Sequence, residues 1–270
     1  MKQGSYDSYV RHFRMLMVWL QDNNYPTALG LIMPNWLIEA FEDLDAAGYC
    51  YSTPNTIRSA VALAVRLQGL SPPFVTDNPC VKAALQGYKR KAANRSVRRQ
   101  PILGIMLAPL LKVVLDMVPT SLQDAVEAIL RLGYAALFRI SESRGVLMQH
   151  LTFLVGGLLL FLPTSKTDPL CRGVSVKIMT DLRLRELLLR LHRPGDPQAP
   201  LLRVHPAYIN VLIRQAATTL GWQGYYSYHS LRHGRATDLW VATHDMQALM
   251  VAGRWRTRGA ARYYVHQIVT

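Results

Sequence analysis

The sequence predicts a mostly helical α+β protein of two domains, with one small three-stranded antiparallel sheet in the second. Apolar residues at helical spacing fill most of the chain, and a glycine pair divides a short β-like stretch near its middle. A basic stretch closed by a proline separates the two parts near residues 94–101. Half of the 270 residues are hydrophobic, so a substantial core is expected.

The first hundred residues are expected to form a bundle of four short helices. In the first segment, apolar positions recur at helical spacing. The next two segments each begin near a Pro or Asn and end at a glycine, which are typical helix start and stop signals. A fourth segment begins at Asn78 and runs into basic residues. These signals place the helices at 9–23, 33–48, 52–69 and 78–99.

The remaining chain predicts an α+β domain. A long amphipathic helix is expected over 120–142, opened by "SLQD", which resembles a capping box. The stretch "LTFLVGGLLLFL" predicts two strands joined by Gly156-Gly157 as a two-residue turn, and 174–178 a third strand. Helices are then expected at 181–192, 207–221, 230–243 and 245–253.

The formal net charge of +14 indicates a polyanionic partner, most often nucleic acid, with an anionic membrane surface as the alternative. No apolar run approaches the ~20 residues that span a bilayer, and the first residues lack the apolar core of a signal peptide. We therefore expect a soluble intracellular protein with no membrane partner, in the nucleus of a eukaryote or otherwise in the cytoplasm.

Seven basic residues and no acidic one lie between Lys82 and Arg99, in the fourth predicted helix and its end. This run is either a solvated face and linker or a set of phosphate contacts along DNA. Its members are Lys82, Lys89, Arg90, Lys91, Arg95, Arg98 and Arg99.

Metal binding is not expected. Cys50, Cys80 and Cys171 lie far apart and form no CxxC pair. His229 and His233 are one helical turn apart, but the glutamate of an HExxH zinc motif is missing.

Several residues suited to phosphodiester chemistry occur in a fixed order in the second domain. Each is ordinary alone, since an arginine at a helix end or a lysine in a loop is usually a solvated surface residue. They are Arg139 in "LFRISE" with Glu142, Lys166 in "TSKTD", His229 and Arg232 in "HSLRH", Trp255 in "GRW", and the pair Tyr263-Tyr264.

Taken in this order, the set resembles the tyrosine recombinase (phage integrase) family. The resemblance covers the catalytic domain from about 101 to 264. It implies a helical, SAM-like core-binding domain that clamps DNA over 1–98 and a catalytic domain over 99–270. The stretches "NPCVKAALQGYKRK", "SKTD" and "GRWRT…AARYY" look most like the recombinases of DIRS-type retroelements, which are mobile elements.

The family chemistry assigns a role to each matching position. Arg139 and Arg232 would grip the non-bridging phosphate oxygens, and the indole N–H of Trp255 would donate to one of them. His229 would handle protons or donate to the phosphate, while Lys166 would protonate the departing 5′ hydroxyl.

Two acidic or imidazole residues are expected to support this set. Glu142 matches the family's acidic residue after the first arginine and would orient Arg139. His233 would support the helix or the DNA backbone.

The nucleophile is one of two adjacent tyrosines. A free phenol, with a pKa around 10, needs activation to attack phosphorus. The family's usual spacing of nine residues selects Tyr264 when counted from Trp255, and Tyr263 when counted from Arg254, which stands where many members carry histidine. Tyr264 is favoured, since Val265-His266 after it is similar to the family's common "YTH" ending.

The resemblance implies an enzyme that cuts and rejoins DNA strands at specific sites through a 3′-phosphotyrosyl intermediate, within a homotetramer that synapses two sites. Because the phosphotyrosine bond conserves the free energy of the broken phosphodiester bond, neither a metal nor another cofactor is implied. The alternatives are a catalytically inactive DNA-binding protein of the same fold and a tyrosine-type topoisomerase.

Overall fold

The computed structural model describes residues 3–69, 74–93, 99–163, 172–179 and 181–265. The chain divides into two compact units, Met1–Ser96 and Val97–Thr270. The DNA-clamping and catalytic roles of the two predicted domains stay predictions. Three predicted site residues, Arg95, Arg98 and Lys166, lie outside the described residues.

The first unit is helical. Helix α1 packs against α3, and α2 packs against α5, around an apolar core that includes Leu16, Phe41 and Val61. Four of its helices match the predicted ones, and a one-turn helix, α4, was not predicted. The helices are α1 (Gln3–Asp22), α2 (Pro34–Ala46), α3 (Ser52–Leu67), α4 (Phe74–Asp77) and α5 (Pro79–Ala93).

The prediction that the fourth helix reaches residue 99 is wrong at its end. Helix α5 ends at Ala93, and Arg99 forms an isolated parallel β-bridge with Tyr225. An extended bridge and a helical turn need different backbone dihedrals, so Arg99 cannot belong to the helix.

The second unit begins with helices α6 (Gly104–Asp116), α7 (Thr120–Ala135) and α8 (Ile140–Arg144). Helix α6 was not predicted. The single helix expected over 120–142 is wrong, because the chain breaks after Ala135 and Leu137 takes a left-handed φ of 49°. The expected capping box at "SLQD" is also absent: α7 starts after Pro119 without a side-chain cap.

After the break at the end of α7, a new helix, α8, begins next to Arg139. Arg139 is the N-cap of α8, and its backbone N–H donates to Oε2 of Glu142 at 2.8 Å. A carboxylate at the third helical position that accepts from the N-cap stabilises a helix start. The break therefore turns Arg139 and Glu142 into neighbours at one helix end.

The three-stranded antiparallel sheet is confirmed, in the order β1 (Leu151–Leu154), β2 (Gly157–Leu162), β3 (Val174–Ile178). The expected turn is wrong by one residue, since Val155 and Gly156 form it and Gly157 pairs with Leu154. Gly156 has a φ of 73°, which glycine adopts without strain. A Cβ on Gly157 would lie 2.7 Å from the carbonyl oxygen of Ile178, so the second glycine serves strand pairing.

Within residues 181–265 five helices follow the sheet, and the first four match the predicted ones closely. They are α9 (Leu182–Leu191), α10 (Pro206–Thr219), α11 (Tyr228–Thr243), α12 (Met246–Gly253) and α13 (Arg258–Val265), which was not predicted. Helix α11 packs against α7, α12 and α13. A small apolar cluster between these elements holds α13 and includes Leu137, Leu249, Trp255 and Tyr264.

The chain before α6 lies along the start of α11. The backbone N–H of Gln100 donates to the carbonyl of Tyr225 at 3.0 Å, and that of Ile102 to the carbonyl of Ser230 at 2.9 Å. A Cβ on Gly234 would overlap the carbonyl oxygen of Ile102. Residues 99–103, the lead-in segment, thus rest directly on the helix that carries "HSLRH".

No helix in the described part of the chain is long and apolar enough to cross a membrane.

Candidate active site

Four backbone elements of the second unit bring the predicted residues together. Arg139 stands at the start of α8, and His229, Arg232 and His233 lie on the first half of α11. Trp255 follows the end of α12, and α13 carries both tyrosines. All of the described residues predicted to be catalytic therefore meet in one region.

Glu142 is a buried carboxylate surrounded by arginines. Its Oε1 accepts from Nη1 of Arg139 at 2.6 Å, and its Oε2 lies 3.0 Å from Nη2 of Arg254 and 3.8 Å from Nη1 of Arg232. We call these four residues the arginine cluster. Three guanidinium charges against one carboxylate leave it a net charge of +2, which suits an anion.

The charge of Glu142 is maintained by these partners. Burial alone would raise the pKa of the carboxyl group. The charge of Arg254, the backbone N–H of Arg139 and the charges of Arg139 and Arg232 outweigh burial and hold the pKa below its usual value. The carboxylate is consequently anionic at neutral pH and can orient the guanidiniums around it.

Arg232 is a fully buried arginine, with 0% of its surface exposed. Its Nη1 donates to the carbonyl oxygen of Leu137, and its Nη2 to that of Gly253 at 2.5 Å. Burial, reinforced by the charge of Arg139, lowers its pKa to about 10, which still leaves it charged at neutral pH. Its Nε has no hydrogen-bond partner within the described parts of the chain.

Trp255 provides a second unsatisfied donor. Its ring lies 4.8 Å from the guanidinium carbon of Arg232, and its buried Nε1 has no partner among the residues described. A Cβ on Gly253 would overlap this ring, so glycine is required before it. A buried donor without an acceptor costs about 1–3 kcal/mol, and such a cost is typical of a site that awaits a ligand oxygen.

The two tyrosines face different surroundings. Tyr264 is 8% exposed, and its ring lies 4.5 Å from that of Trp255 and 4.4 Å from that of His233. Tyr263 is 62% exposed. The ring of Tyr263 lies 5.7 Å from that of His233, so both tyrosines border this histidine. Of the two, it is Tyr264 that is buried against Trp255 and whose hydroxyl meets His229.

Two neutral histidines adjoin the Tyr264 side chain. The hydroxyl of Tyr264 lies 3.1 Å from Nε2 of His229. Burial, with the charges of His233 and Arg232, lowers the pKa of His229 to about 3. Burial, with the charges of Arg99 and Arg232, lowers the pKa of His233 to about 4. Both rings are neutral at pH 7, so Nε2 of His229 can accept a hydrogen bond from the phenol when Nδ1 carries the ring proton.

The basic residues predicted to bind DNA are exposed where the structure describes them. On α5, Lys82 pairs with Asp77 at 3.1 Å, and Lys91 with Asp45 at 3.4 Å. The Lys82–Asp77 pair is exposed on both sides, and such surface pairs contribute little to stability. The exposed residues are Lys82, Lys89, Arg90, Lys91 and Arg99.

Arg99 differs from the residues of α5 because it lies in the lead-in segment of the second unit. Its charge is among the causes that depress the pKa of both histidines, so it adds positive potential beside them.

Sequence reasoning missed the part that Arg254 takes in the site. The available signal was that "GRW" departs from the "GH" pattern of the family that the sequence resembles. The carbonyls of Leu137 and Gly253 that hold Arg232 have no signal in the sequence, since every residue carries a carbonyl. Among the described residues, no group of three His, Cys, Asp or Glu side chains could hold a metal ion.

Known proteins share this fold and, more weakly, this sequence. No family model matches the chain. It is 26% identical over 257 residues to an integrase/recombinase xerD homolog of Selenomonas ruminantium, a similarity that covers 87% of this chain and 73% of that protein.

Three solved structures illustrate the shared fold. The Tn1549 transposon integrase in complex with transposon right end DNA is 14% identical, with a TM-score of 0.66 over 98% of this chain and 89% of that one. A lambda integrase dimer bound to a COC′ core site is 16% identical, with a TM-score of 0.65 over 98% of this chain and 89% of that one. The XerH site-specific recombinase bound to difH substrate before cleavage is 15% identical, with a TM-score of 0.62 over 97% of this chain and 76% of that one. The chain is thus similar in sequence to one integrase/recombinase and shares the fold of these integrases and recombinases.

Proposed function

We propose that this protein is a site-specific DNA recombinase that cleaves and rejoins DNA strands through a 3′-phosphotyrosyl intermediate. One observation carries the proposal: the Tyr264 hydroxyl lies 3.1 Å from a neutral His229, beside a positively charged cluster and an indole N–H without an acceptor. A nucleophile, a base and stabilising donors thus meet at one place.

The first step is attack by the phenol. Nε2 of His229 accepts the proton of Tyr264, and the phenolic oxygen forms a bond to phosphorus. The bond between phosphorus and the 5′ oxygen breaks, and that oxygen takes a proton from Lys166. The reverse sequence, with a 5′ hydroxyl from another strand, restores the phosphodiester and frees the tyrosine.

The arginine cluster stabilises the charge that builds on the non-bridging oxygens during this step. Arg139 is partly exposed, whereas Arg232 is covered by the rings of Trp255 and Tyr264. Donors held rigidly in a site that excludes water stabilise such charge strongly. For a phosphate to reach Arg232, the rings that cover it must shift.

Double-stranded DNA is the substrate of this reaction. The formal charge of +14 and the exposed basic residues of α5 and the lead-in segment support a partner rich in phosphate. The similar Tn1549 and lambda integrases and XerH were solved on DNA.

Recombination needs four strands to be exchanged, so we place the chain in a homotetramer that synapses two sites. The family resemblance supports this assembly. The mass of the protein–DNA complex, measured by sedimentation, tests the tetramer. A complex with more than two chains on paired sites is expected, and a stable monomer would contradict the proposal.

A mobile element of the DIRS type is the proposed source of the chain. Support comes from the stretches "NPCVKAALQGYKRK" and "GRWRT…AARYY". Sequencing the DNA around the reading frame tests this, since a retroelement carries a reverse transcriptase gene nearby. Flanking genes of a cellular or phage operon would contradict it.

The decisive experiment is covalent trapping on DNA. Nicked duplexes tiled from the DNA that flanks the reading frame are incubated with the whole chain, and the adduct is resolved on a denaturing gel. A band shift that survives denaturation, with the nucleotide mapped to a tyrosine peptide by mass spectrometry, is expected.

Other outcomes identify the alternative functions. Site-specific binding without an adduct on any duplex indicates an inactive DNA-binding protein. An adduct together with supercoil relaxation at any sequence indicates a topoisomerase.

A further inference from the structure

We infer that Arg254 is a positioning residue, which acts through Glu142 and the carbonyls around it to aim Arg232 and Arg139 at the scissile phosphate. The inference rests on the proposed strand cleavage and adds a residue to it. Arg254 would not touch the phosphate; it directly precedes Trp255, from which the spacing of nine residues selects Tyr264.

The guanidinium of Arg254 joins three separate pieces of chain. Its Nη1 donates to the carbonyl of Ala136 at 2.9 Å, and its Nη2 to that of Leu137 at 3.0 Å. The same Nη2 lies 3.0 Å from Oε2 of Glu142, while Nη1 also reaches the carbonyl of Ala252 at 3.3 Å. One planar guanidinium thereby connects the segment between α7 and α8, the start of α8 and the end of α12.

Arg254 also shares its acceptors with the proposed phosphate-binding arginines. The carbonyl of Leu137 accepts from both Arg254 and Arg232, and the carboxylate of Glu142 faces Arg254, Arg232 and Arg139. A change at Arg254 therefore alters the partners of both arginines without touching either.

The backbone around Arg254 is specialised for this role. It is a non-glycine residue with a left-handed φ of 56°, between Gly253, whose carbonyl holds Arg232, and Trp255, whose indole lies over Arg232. Such a conformation costs roughly 1 kcal/mol and persists where surrounding contacts determine it. The bonds of Arg254 are those contacts.

The hydrogen bonds of Arg254 argue against direct phosphate contact. The side chain is 9% exposed, and the guanidinium carbon lies 5.1 Å from the ring centre of Phe138. Each Nη group of Arg254 donates to two protein acceptors, whereas each Nη group of Arg232 donates to one, so among the described residues only Nε of Arg254 is left without a partner.

The test compares Arg254→Met with Arg190→Met. The second change removes an exposed bidentate pair between Arg190 on α9 and Asp124 on α7. Single-turnover adduct formation is measured on the nicked duplex that traps the wild type, at saturating DNA, together with DNA affinity and melting temperature. We expect Arg254→Met to slow adduct formation on the order of 100-fold, because misplaced groups cost that much, with DNA affinity unchanged. Arg190→Met is expected to react at the wild-type rate.

A double-mutant cycle separates positioning from a general structural role. If Arg254 acts through Glu142, Arg254→Met should slow a Glu142→Gln protein far less than it slows the wild type. Independent, multiplicative losses would overturn the inference, as would a wild-type rate in Arg254→Met.

A variant that keeps the charge covers the case in which Arg254→Met melts early. Arg254→Lys retains the charge, but one ammonium cannot span two carbonyls and a carboxylate, so slow adduct formation by a stable protein is expected. A wild-type rate in Arg254→Lys would overturn the inference. A wild type that forms no adduct at all would instead refute the proposed function.

Discussion

The hydroxyl of Tyr264 lies 3.1 Å from Nε2 of His229, although the two residues are 35 positions apart. The contact joins α13 to the first turn of α11, and the aromatic rings of Trp255 and His233 flank it. The proposed nucleophile and its base thus come from the same chain and are in direct contact.

The two adjacent tyrosines are expected to differ sharply in function. Tyr264→Phe should abolish covalent trapping, because it removes the oxygen that forms the bond, while keeping the ring in its apolar cluster. Tyr263→Phe alters an exposed side chain and should trap DNA at nearly the wild-type rate. Denaturing gels with nicked duplex measure both, and loss of trapping in Tyr263→Phe alone would reverse the assignment.

The indole N–H of Trp255 is expected to act in the reaction. Trp255→Phe keeps an aromatic ring over Arg232 but removes a buried donor, so adduct formation should slow by about 100-fold at saturating DNA. The matched control is Trp222→Phe, a partly buried tryptophan that packs on Tyr226. Equal rates for the two variants would show that the donor contributes nothing.

The stability of the protein should fall as the pH drops from about 6.5 towards 4. The folded-state pKa values of His229 (about 3) and His233 (about 4) lie below that of a free histidine. Between these values the unfolded chain binds more protons than the folded one, so acid favours unfolding, by roughly 2 kcal/mol per histidine at pH 4.5.

Urea denaturation across this pH range measures the effect. His233→Gln should flatten the slope of unfolding free energy below pH 6.5, whereas above pH 7.5 its slope should match that of the wild type. Parallel curves for the variant and the wild type over the whole range would contradict the assignment.

The close approach of the lead-in segment to α11 should make Gly234 intolerant of a side chain. Gly234→Ala places a methyl group on the carbonyl of Ile102 and is expected to destabilise the protein by about 1–3 kcal/mol. Gly87→Ala in α5 is the matched control: nothing lies within 4 Å of its added Cβ, and it should stabilise the protein by about 0.5–1 kcal/mol. If the urea midpoints of both variants shifted in the same direction from that of the wild type, the contact would be refuted.

The basic end of α5 is expected to contact DNA phosphates. Replacing Lys89, Arg90 and Lys91 by alanine removes three exposed charges. Fewer counterions would then be released on binding, so affinity should fall and its dependence on salt should flatten. Binding isotherms at several salt concentrations measure this, and an unchanged slope would mean that the run is only a solvated face.

The local pattern of the sequence was sufficient for most of the secondary structure. Apolar periodicity with Pro and Gly signals predicted α1, α2 and α3, and the glycine pair located the hairpin of β1 and β2. These signals are local, because they depend on residues within a few positions of each other. The order of Arg139, His229, Arg232 and Trp255 likewise indicated phosphate chemistry before any contact was known.

Tertiary contacts decided what periodicity could not show. Residues 120–142 continue a helical pattern, yet the chain breaks at Leu137, whose carbonyl is needed by Arg232, a residue 95 positions away. Spacing left Tyr263 and Tyr264 both possible, and packing of α13 against α11 determined which of them faces His229. Arg254 looked like a departure from a motif until its bonds to Glu142 and two carbonyls were visible. The physical reason is the same in each case: burial and hydrogen bonding depend on partners distant in sequence, which no local pattern encodes.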